Sequence, residues 1–333
     1  MSWKVVVTAR GVKPAGEQAQ ALLRSAGCEI IFPSKFGPLK GDELISAISG
    51  MDAVLASLDG YSSDVLASPA ASRLKIIARW GVGYDAVDLA AAAREGIVVT
   101  YTPGVLDDAV ADYTFALLLA LARRLPEGHA AMQRGEWKHQ WGDDVGGRTL
   151  GIIGLGRIGK AVARRAGGFD MRVLAHTPHP SAECRGIEFV SLEKVLAESD
   201  FVSLHAALTP ASKGMIGEAQ LRRMKRTAYL INTARGALVD EAALMRALKE
   251  GWIAGAALDV FTTEPLPVES VLRSAPNLLL SPHQSSYARG TGERVSLAAA
   301  QSIVDLMNGK KPRAVLNPEV FDSPKFRGRL GAK

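Results

Sequence analysis

Four segments of this 333-residue chain carry most of the residues able to do chemistry. The first is Thr149-Leu-Gly-Ile-Ile-Gly154-Leu-Gly156-Arg157-Ile158-Gly159, in which Gly154, Gly156 and Gly159 fit G-x-G-x-x-G. An apolar strand pattern precedes them, a helical run of Ala, Val and Arg follows, and a second strand pattern lies at 172–176. In that context the first glycine allows a tight turn, the second lets backbone approach a pyrophosphate, and the third lets helix and strand pack closely. The helix start then offers free N–H groups to phosphates. The other three segments each follow an apolar run: Asn232-Thr233-Ala234-Arg235-Gly236, then Asp259-Val-Phe-Thr-Thr-Glu264-Pro265, then Ser281-Pro282-His283. Titratable residues at the carboxyl ends of parallel strands are where α/β sheets place their ligands.

An acidic residue at the end of the second strand would bind the ribose hydroxyls of NAD and repel the 2′-phosphate of NADP. Here that strand ends His176-Thr177-Pro178-His179, and Asp170 stands at its other end. His176, His179 and Arg185 are available to a phosphate. The cofactor is therefore read as NAD or NADP, with NADP at least tolerated.

The elements that must hold these segments alternate along the chain. Val5–Thr8, Asp52–Ser57 and Leu74–Arg79 read as buried strands, with helices over Gln18–Ala26, Asp42–Ile48 and Ala86–Arg94. Thr102-Pro103-Gly104 signals a turn. Asp107–Arg124 reads as one long apolar helix stopped by basic residues and Pro126. A second strand series runs through Thr149–Gly154, Arg172–His176, Phe201–His205, Ala228–Asn232, Gly255–Asp259 and Leu278–Leu280, with a helix over Arg289–Met307. Fully apolar strands separated by helices argue for parallel α/β architecture.

Composition bounds the class. Apolar residues make up 47% and charged residues 22%, as in ordinary globular proteins. Two cysteines, Cys28 and Cys184, stand far apart with no CxxC pair, so neither a disulfide framework nor a metal site is expected. The start lacks a signal-peptide core, and the longest apolar run, Phe115–Ala122, is far short of a bilayer span. The expectation is a cytoplasmic protein. Lys and Arg total 40 against 34 Asp and Glu, a formal charge of +6. From Gly309 onward Lys310, Lys311, Arg313, Lys325, Arg327, Arg329 and Lys333 face only Glu319 and Asp322, so +5 of the +6 sits in this tail. The excess is thus read as a solvated basic end, and neither nucleic acid nor a membrane is an expected partner.

Taken in order, the Arg79-Trp80-Gly81-Val82-Gly83-Tyr84-Asp85 loop, the 109–124 helix, Gly154–Gly159, Asn232–Glu241, Asp259–Pro265 and Pro282-His283 resemble the D-isomer-specific 2-hydroxyacid dehydrogenases over nearly the whole chain. The resemblance implies two doubly wound parallel-sheet domains. A Rossmann NAD(P) domain, residues 104–285, would be inserted into a flavodoxin-like substrate domain, residues 1–103 and 286–333. It implies hydride transfer between NAD(P)H and the C2 carbonyl of a short 2-oxo acid. His283 would be the general acid/base, since imidazole titrates near neutrality. Glu264 would fix its tautomer, and Arg235 would hold the substrate carboxylate with its planar fork. Backbone N–H groups of Gly81, Val82 and Gly83 would complete the carboxylate site. Cofactor contacts would come from Gly154, Gly156, Arg157, Ile158, Gly159, His176, Thr177, Thr209, Thr233, Ala234 and Asp259, the last at the nicotinamide carboxamide. A homodimer is also implied, with Trp137–Trp141 as interface element or, alternatively, as a cap on the core.

Some residues depart from the nearest-looking branches. After His283 the chain reads Gln284-Ser285-Ser286-Tyr287 in place of small aliphatics, and Ala56–Tyr61 has no Arg or Lys for a substrate phosphate. Gln284 and Ser286 could reach a polar substituent or only shape the loop, and Trp80 could line the pocket or pack. Hydroxypyruvate or glyoxylate therefore fit at least as well as 3-phosphoglycerate. Two alternatives are a non-catalytic NAD(H)-binding regulator and a formate- or phosphite-oxidising relative.

Overall fold

Runs such as Val5-Val6-Val7 and Ile76-Ile77-Ala78 are apolar on both sides of the pleat, which suits strands covered by helices on both faces. The computed structural model describes residues 2–180 and 184–331 and arranges such runs into two parallel sheets. Residues 1–106 with 287–333 form one compact unit, and residues 107–286 form the other.

In the first unit β1 (Lys4–Val7), β2 (Glu29–Ile31), β3 (Ala53–Ala56), β4 (Ile76–Arg79) and β5 (Val98–Thr100) lie in the order β2-β1-β3-β4-β5. This is the flavodoxin-like order, whose switch point falls between β1 and β3. Asp59 fills the turn there. Its buried carboxylate accepts from Thr8 Oγ1, Ser57 N and Leu39 N.

The second unit holds β6 (Thr149–Ile153), β7 (Arg172–His176), β8 (Ile187–Phe189), β9 (Phe201–Leu204), β10 (Tyr229–Asn232), β11 (Gly255–Leu258) and β12 (Leu278–Leu280). Their order, β12-β11-β10-β9-β6-β7-β8, is the Rossmann pattern with one added strand. The order reverses between β6 and β9, so the crevice for a ligand lies beyond their carboxyl ends.

The two sheets share a local device. Asp52 precedes β3 and Asp200 precedes β9. Each accepts a backbone N–H from the first residue of the neighbouring strand, Lys4 or Thr149, at 2.9 Å. Each also pairs with a lysine, Lys75 at 2.5 Å and Lys225 at 2.8 Å. Burial opposes ionisation of both, yet these bonds and charges outweigh it and hold both carboxyls below their ordinary value.

The structure departs from the sequence reading in several places, three of them in the helices, the segment that follows them and the tail. The apolar helix ends at Ala122, not Arg124, because Arg124 adopts a left-handed backbone (φ 49°). Pro126 then lies in the first turn of a new helix, Leu125–Gln133, where its missing N–H costs nothing. Trp137 and Trp141 are 81% and 92% exposed, so they do not cap the core. The basic tail is not simply solvated. Lys325 and Arg327 pair with Glu95, Arg327 also donates to Ala71 O and Leu74 O, and Lys311 lies over the Phe321 ring. Gly96 has the room this docking needs, since a Cβ there would run into Lys325 backbone. Lys333 lies outside the described residues.

Candidate active site

The glycine turn forms as its spacing requires. Gly154 (φ 95°) donates to His176 O at 2.8 Å, and a Cβ on it would strike the His205–Ala206 backbone after β9. Gly159 packs on Gly154 O, so helix Arg157–Ala166 sits close to β6. A Cβ on Gly156 would meet open space, and no side chain caps the helix start. The cradle therefore fits a pyrophosphate, with N–H groups of the Arg157-Ile158-Gly159 turn facing it. The Arg157 side chain pairs with Asp107 at 2.8 Å.

The remaining residues expected at the cofactor divide into those near this turn and those tied elsewhere. His176 closes β7 with Nδ1 3.3 Å from Val190 O, and Thr177 Oγ1 accepts from His179 N. Thr209 Oγ1 is engaged in its own turn, accepting from Ser212 N. Thr233, at the end of β10, bonds Thr114 Oγ1 at 3.1 Å and so ties its loop to helix Asp107–Ala122. His205, which the sequence reading did not single out, bonds Ser203 Oγ at 2.8 Å, and burial lowers its pKa to about 3, so its ring is neutral.

The loops after β10, β11 and β12 come together. Asn232 shapes the first: its Oδ1 accepts from Ala234 N and its Nδ2 donates to Arg235 O. Arg235 is half-buried and donates to Ala234 O at 2.7 Å. Gly236 lets this loop touch the next, since any Cβ there would overlap Phe261 backbone. Glu264 Oε1 accepts from Phe261 N at 2.9 Å, and Glu264 Oε2 lies 2.7 Å from His283 Nδ1. Burial would push the Glu264 carboxyl up, but the His283 bond and charge, the Phe261 N–H and the Arg235 charge together hold it below its ordinary value. Glu264 is thus an anion at neutral pH, and His283 presents Nε2 on its other side. A proton on His283 Nδ1 is fixed by that carboxylate, which is the arrangement a general acid/base needs.

His283 has a left-handed backbone (φ 51°), uncommon for a residue with a Cβ. Asp259 holds it there. Asp259 O accepts from His283 N at 2.7 Å, and its fully buried carboxylate accepts from Ser281 Oγ, Gln284 N and Ser285 N. The side chain expected at the nicotinamide is therefore engaged with the His283 loop. Gln284 donates to Tyr113 OH at 2.7 Å, a loop-shaping contact.

In the first unit, Gly81 (φ 131°) opens the Gly81–Gly83 loop after β4. Its N–H is taken by Thr102 Oγ1 at 3.0 Å, so it does not join the set expected for a carboxylate. The Val82 and Gly83 N–H groups have no acceptor among the described residues. Trp80 packs: its Nε1 donates to Ser296 Oγ and its ring meets Tyr287. Among the described residues no group of His, Cys, Asp and Glu could hold a metal ion, and no helix is long and apolar enough to cross a membrane.

A Rossmann sheet with an open glycine cradle, beside a His–Glu pair and an arginine, is the equipment of a dinucleotide-dependent dehydrogenase. Residues 115–285 match the NAD-binding domain model of the D-isomer specific 2-hydroxyacid dehydrogenases. A glyoxylate reductase of Korarchaeum cryptofilum is 47% identical over 287 residues, covering 83% of this chain and 86% of that protein. One from Thermofilum pendens is 41% identical over 316 residues, covering 92% and 93%. The crystal structure of TT0316 from Thermus thermophilus superposes with a TM-score of 0.85 at 41% identity, covering 94% of this chain and 99% of that one. This chain belongs to the D-isomer specific 2-hydroxyacid dehydrogenase family and is an NAD(P)-dependent dehydrogenase.

Proposed function

We propose that the chain reduces glyoxylate and close relatives such as hydroxypyruvate to the corresponding 2-hydroxy acids, using NADH or NADPH. The observation that carries this reading is the 2.7 Å bond between Glu264 and His283 beside the charge of Arg235. The relatives named glyoxylate reductase support the substrate class.

The second unit takes the cofactor, and its Arg235 holds the substrate carboxylate and orients C2. In the first unit, the Val82 and Gly83 N–H groups are donors suited to a carboxylate. NAD(P)H, held at the Gly154–Gly159 turn, would supply the hydride for C2. As the carbonyl π pair moves to oxygen, His283 Nε2 gives that oxygen a proton and becomes neutral, with Nδ1–H still bonded to Glu264. Solvent then restores the proton. Asp59, buried where a phosphate-binding basic residue would be wanted, argues against 3-phosphoglycerate. The end of β7 reads His176-Thr177 with no acid at that position, which supports use of both cofactors.

The protein acts in the cytoplasm as a homodimer. Exposed Leu125 and Met132 on helix Leu125–Gln133, and exposed Trp137 and Trp141 in the segment after it, are the apolar side chains available to such an interface. Light scattering at micromolar concentration is expected to give twice the chain mass, and a monomer mass would refute the dimer.

The activity is tested with purified protein on glyoxylate, hydroxypyruvate, pyruvate, 3-phosphoglycerate, formate and phosphite, with each cofactor. Turnover is expected on the first two acids with both cofactors. Cofactor binding without turnover would leave the regulator reading. Oxidation of formate or phosphite alone would leave the other, and strict NAD use would overturn the cofactor part.

A further inference from the structure

The Gly81–Gly83 loop is gripped from both ends by two residues given no role so far. Arg79 is the last residue of β4 and is only 2% exposed, an unusual setting for a guanidinium. Its Nε and Nη2 both donate to Gly83 O, at 3.0 and 2.8 Å, and its Nη1 donates to Ala56 O at 3.2 Å, at the end of the adjacent strand β3. The fork thus ties the far end of the loop to the sheet. Thr102 grips the near end. Its Oγ1 accepts from Gly81 N, and its N donates to Gly81 O at 3.0 Å. With Gly81 and Gly83 pinned, the Val82 and Gly83 N–H groups are left without acceptors among the described residues.

We infer that Arg79 and Thr102 are positioning residues for the substrate carboxylate, fixing this loop so that the two N–H groups stay preorganised for an anion. The inference rests on the reading of Gly81–Gly83 as a carboxylate site. A guanidinium suits the task better than a lysine for two reasons. Its planar fork reaches two carbonyls in fixed directions, and its charge persists when buried. That fixed charge lies beneath a loop whose proposed ligand is an anion, and N–H donors aimed in advance bind without reorganising. A loop misplaced by about 1 Å can cost a hundredfold.

The test uses the full-length enzyme carrying Arg79→Met, Arg79→Lys, Thr102→Val or Val82→Pro. The readouts are KM for glyoxylate, Ki for oxamate (an unreactive carboxylate analogue), kcat, and NADH affinity by fluorescence. Val82→Pro deletes one of the two N–H donors and so tests the loop reading by itself. Arg79→Met is expected to raise KM and Ki together by about tenfold or more, with kcat nearly kept and NADH affinity unchanged. Arg79→Lys is expected to recover part of the loss, and Thr102→Val to raise both constants less. A merely structural role would lower kcat through the active fraction and leave KM native, which would overturn the inference. Native KM and Ki in the Arg79 and Thr102 variants, with both raised in Val82→Pro, would overturn it while keeping the loop reading. Native constants in all four would remove the loop reading itself. If Arg79→Met does not fold, Thr102→Val and Arg79→Lys decide by the same constants.

Discussion

At the scale of single residues, one bond organises the site: Glu264 Oε2 to His283 Nδ1, at 2.7 Å. Glu264 is held ionised by His283, the Phe261 N–H and Arg235 against the effect of burial. Its carboxylate holds the His283 ring through Nδ1, which leaves Nε2 to face the substrate. Glu264→Gln keeps the shape and removes the charge. It is expected to lower kcat/KM for reduction by about 10- to 1000-fold. Full activity in Glu264→Gln would sink the assigned role. Asp259 shows where motif reading stops. Its position in Asp259–Pro265 was plain in the sequence, but its bonds to Ser281, Gln284 and Ser285 depend on a loop 22 to 26 residues away. Arg79 is similar: an arginine ending an apolar run looks like a surface residue until the sheet buries it.

At the scale of elements, the sequence exposed what periodicity and punctuation encode. Central strands such as β6 and β10 and the helix Arg289–Met307 stood out because both faces are buried or the pattern runs long. β2, β5 and β8 did not. Each is a three-residue strand at a sheet edge; β12 is as short, but its unbroken Leu-Leu-Leu run gives it away. The break at Arg124 was missed because Pro126 both stops one helix and starts another. The paired aspartates also act at this scale. Asp52 and Asp200 lock the start of β1 and β6 and carry depressed carboxyl pKa values. A depressed carboxyl contributes stability above its unfolded pKa, roughly 4, and loses it as pH falls through the folded value. Asp52→Asn is therefore expected to destabilise the protein at pH 7 by about 3 kcal/mol, since it leaves Lys75 without its buried partner. Asp200→Asn, at a more exposed pair, should cost less. Both differences from the native chain should shrink toward pH 3. Urea titrations at the two pH values check this, and a pH-independent gap would contradict it.

At the scale of the molecule, the strand orders β2-β1-β3-β4-β5 and β12-β11-β10-β9-β6-β7-β8 place ligand sites at carboxyl strand ends, which is where the chemistry-bearing segments were written in the sequence. Most of the basic excess sits in a tail partly docked on Glu95. The fate of that tail was not legible, because Glu95 stands some 230 residues earlier in the chain. The measurement that bears most directly on the proposed activity is the rate of glyoxylate reduction by the intact chain beside His283→Ala, with NADH binding recorded for both. Ready turnover by the intact chain and a fall of about 100- to 10,000-fold in the variant, at equal NADH affinity, is the expected result. Equal turnover by the two proteins, or none by the intact chain, would contradict it.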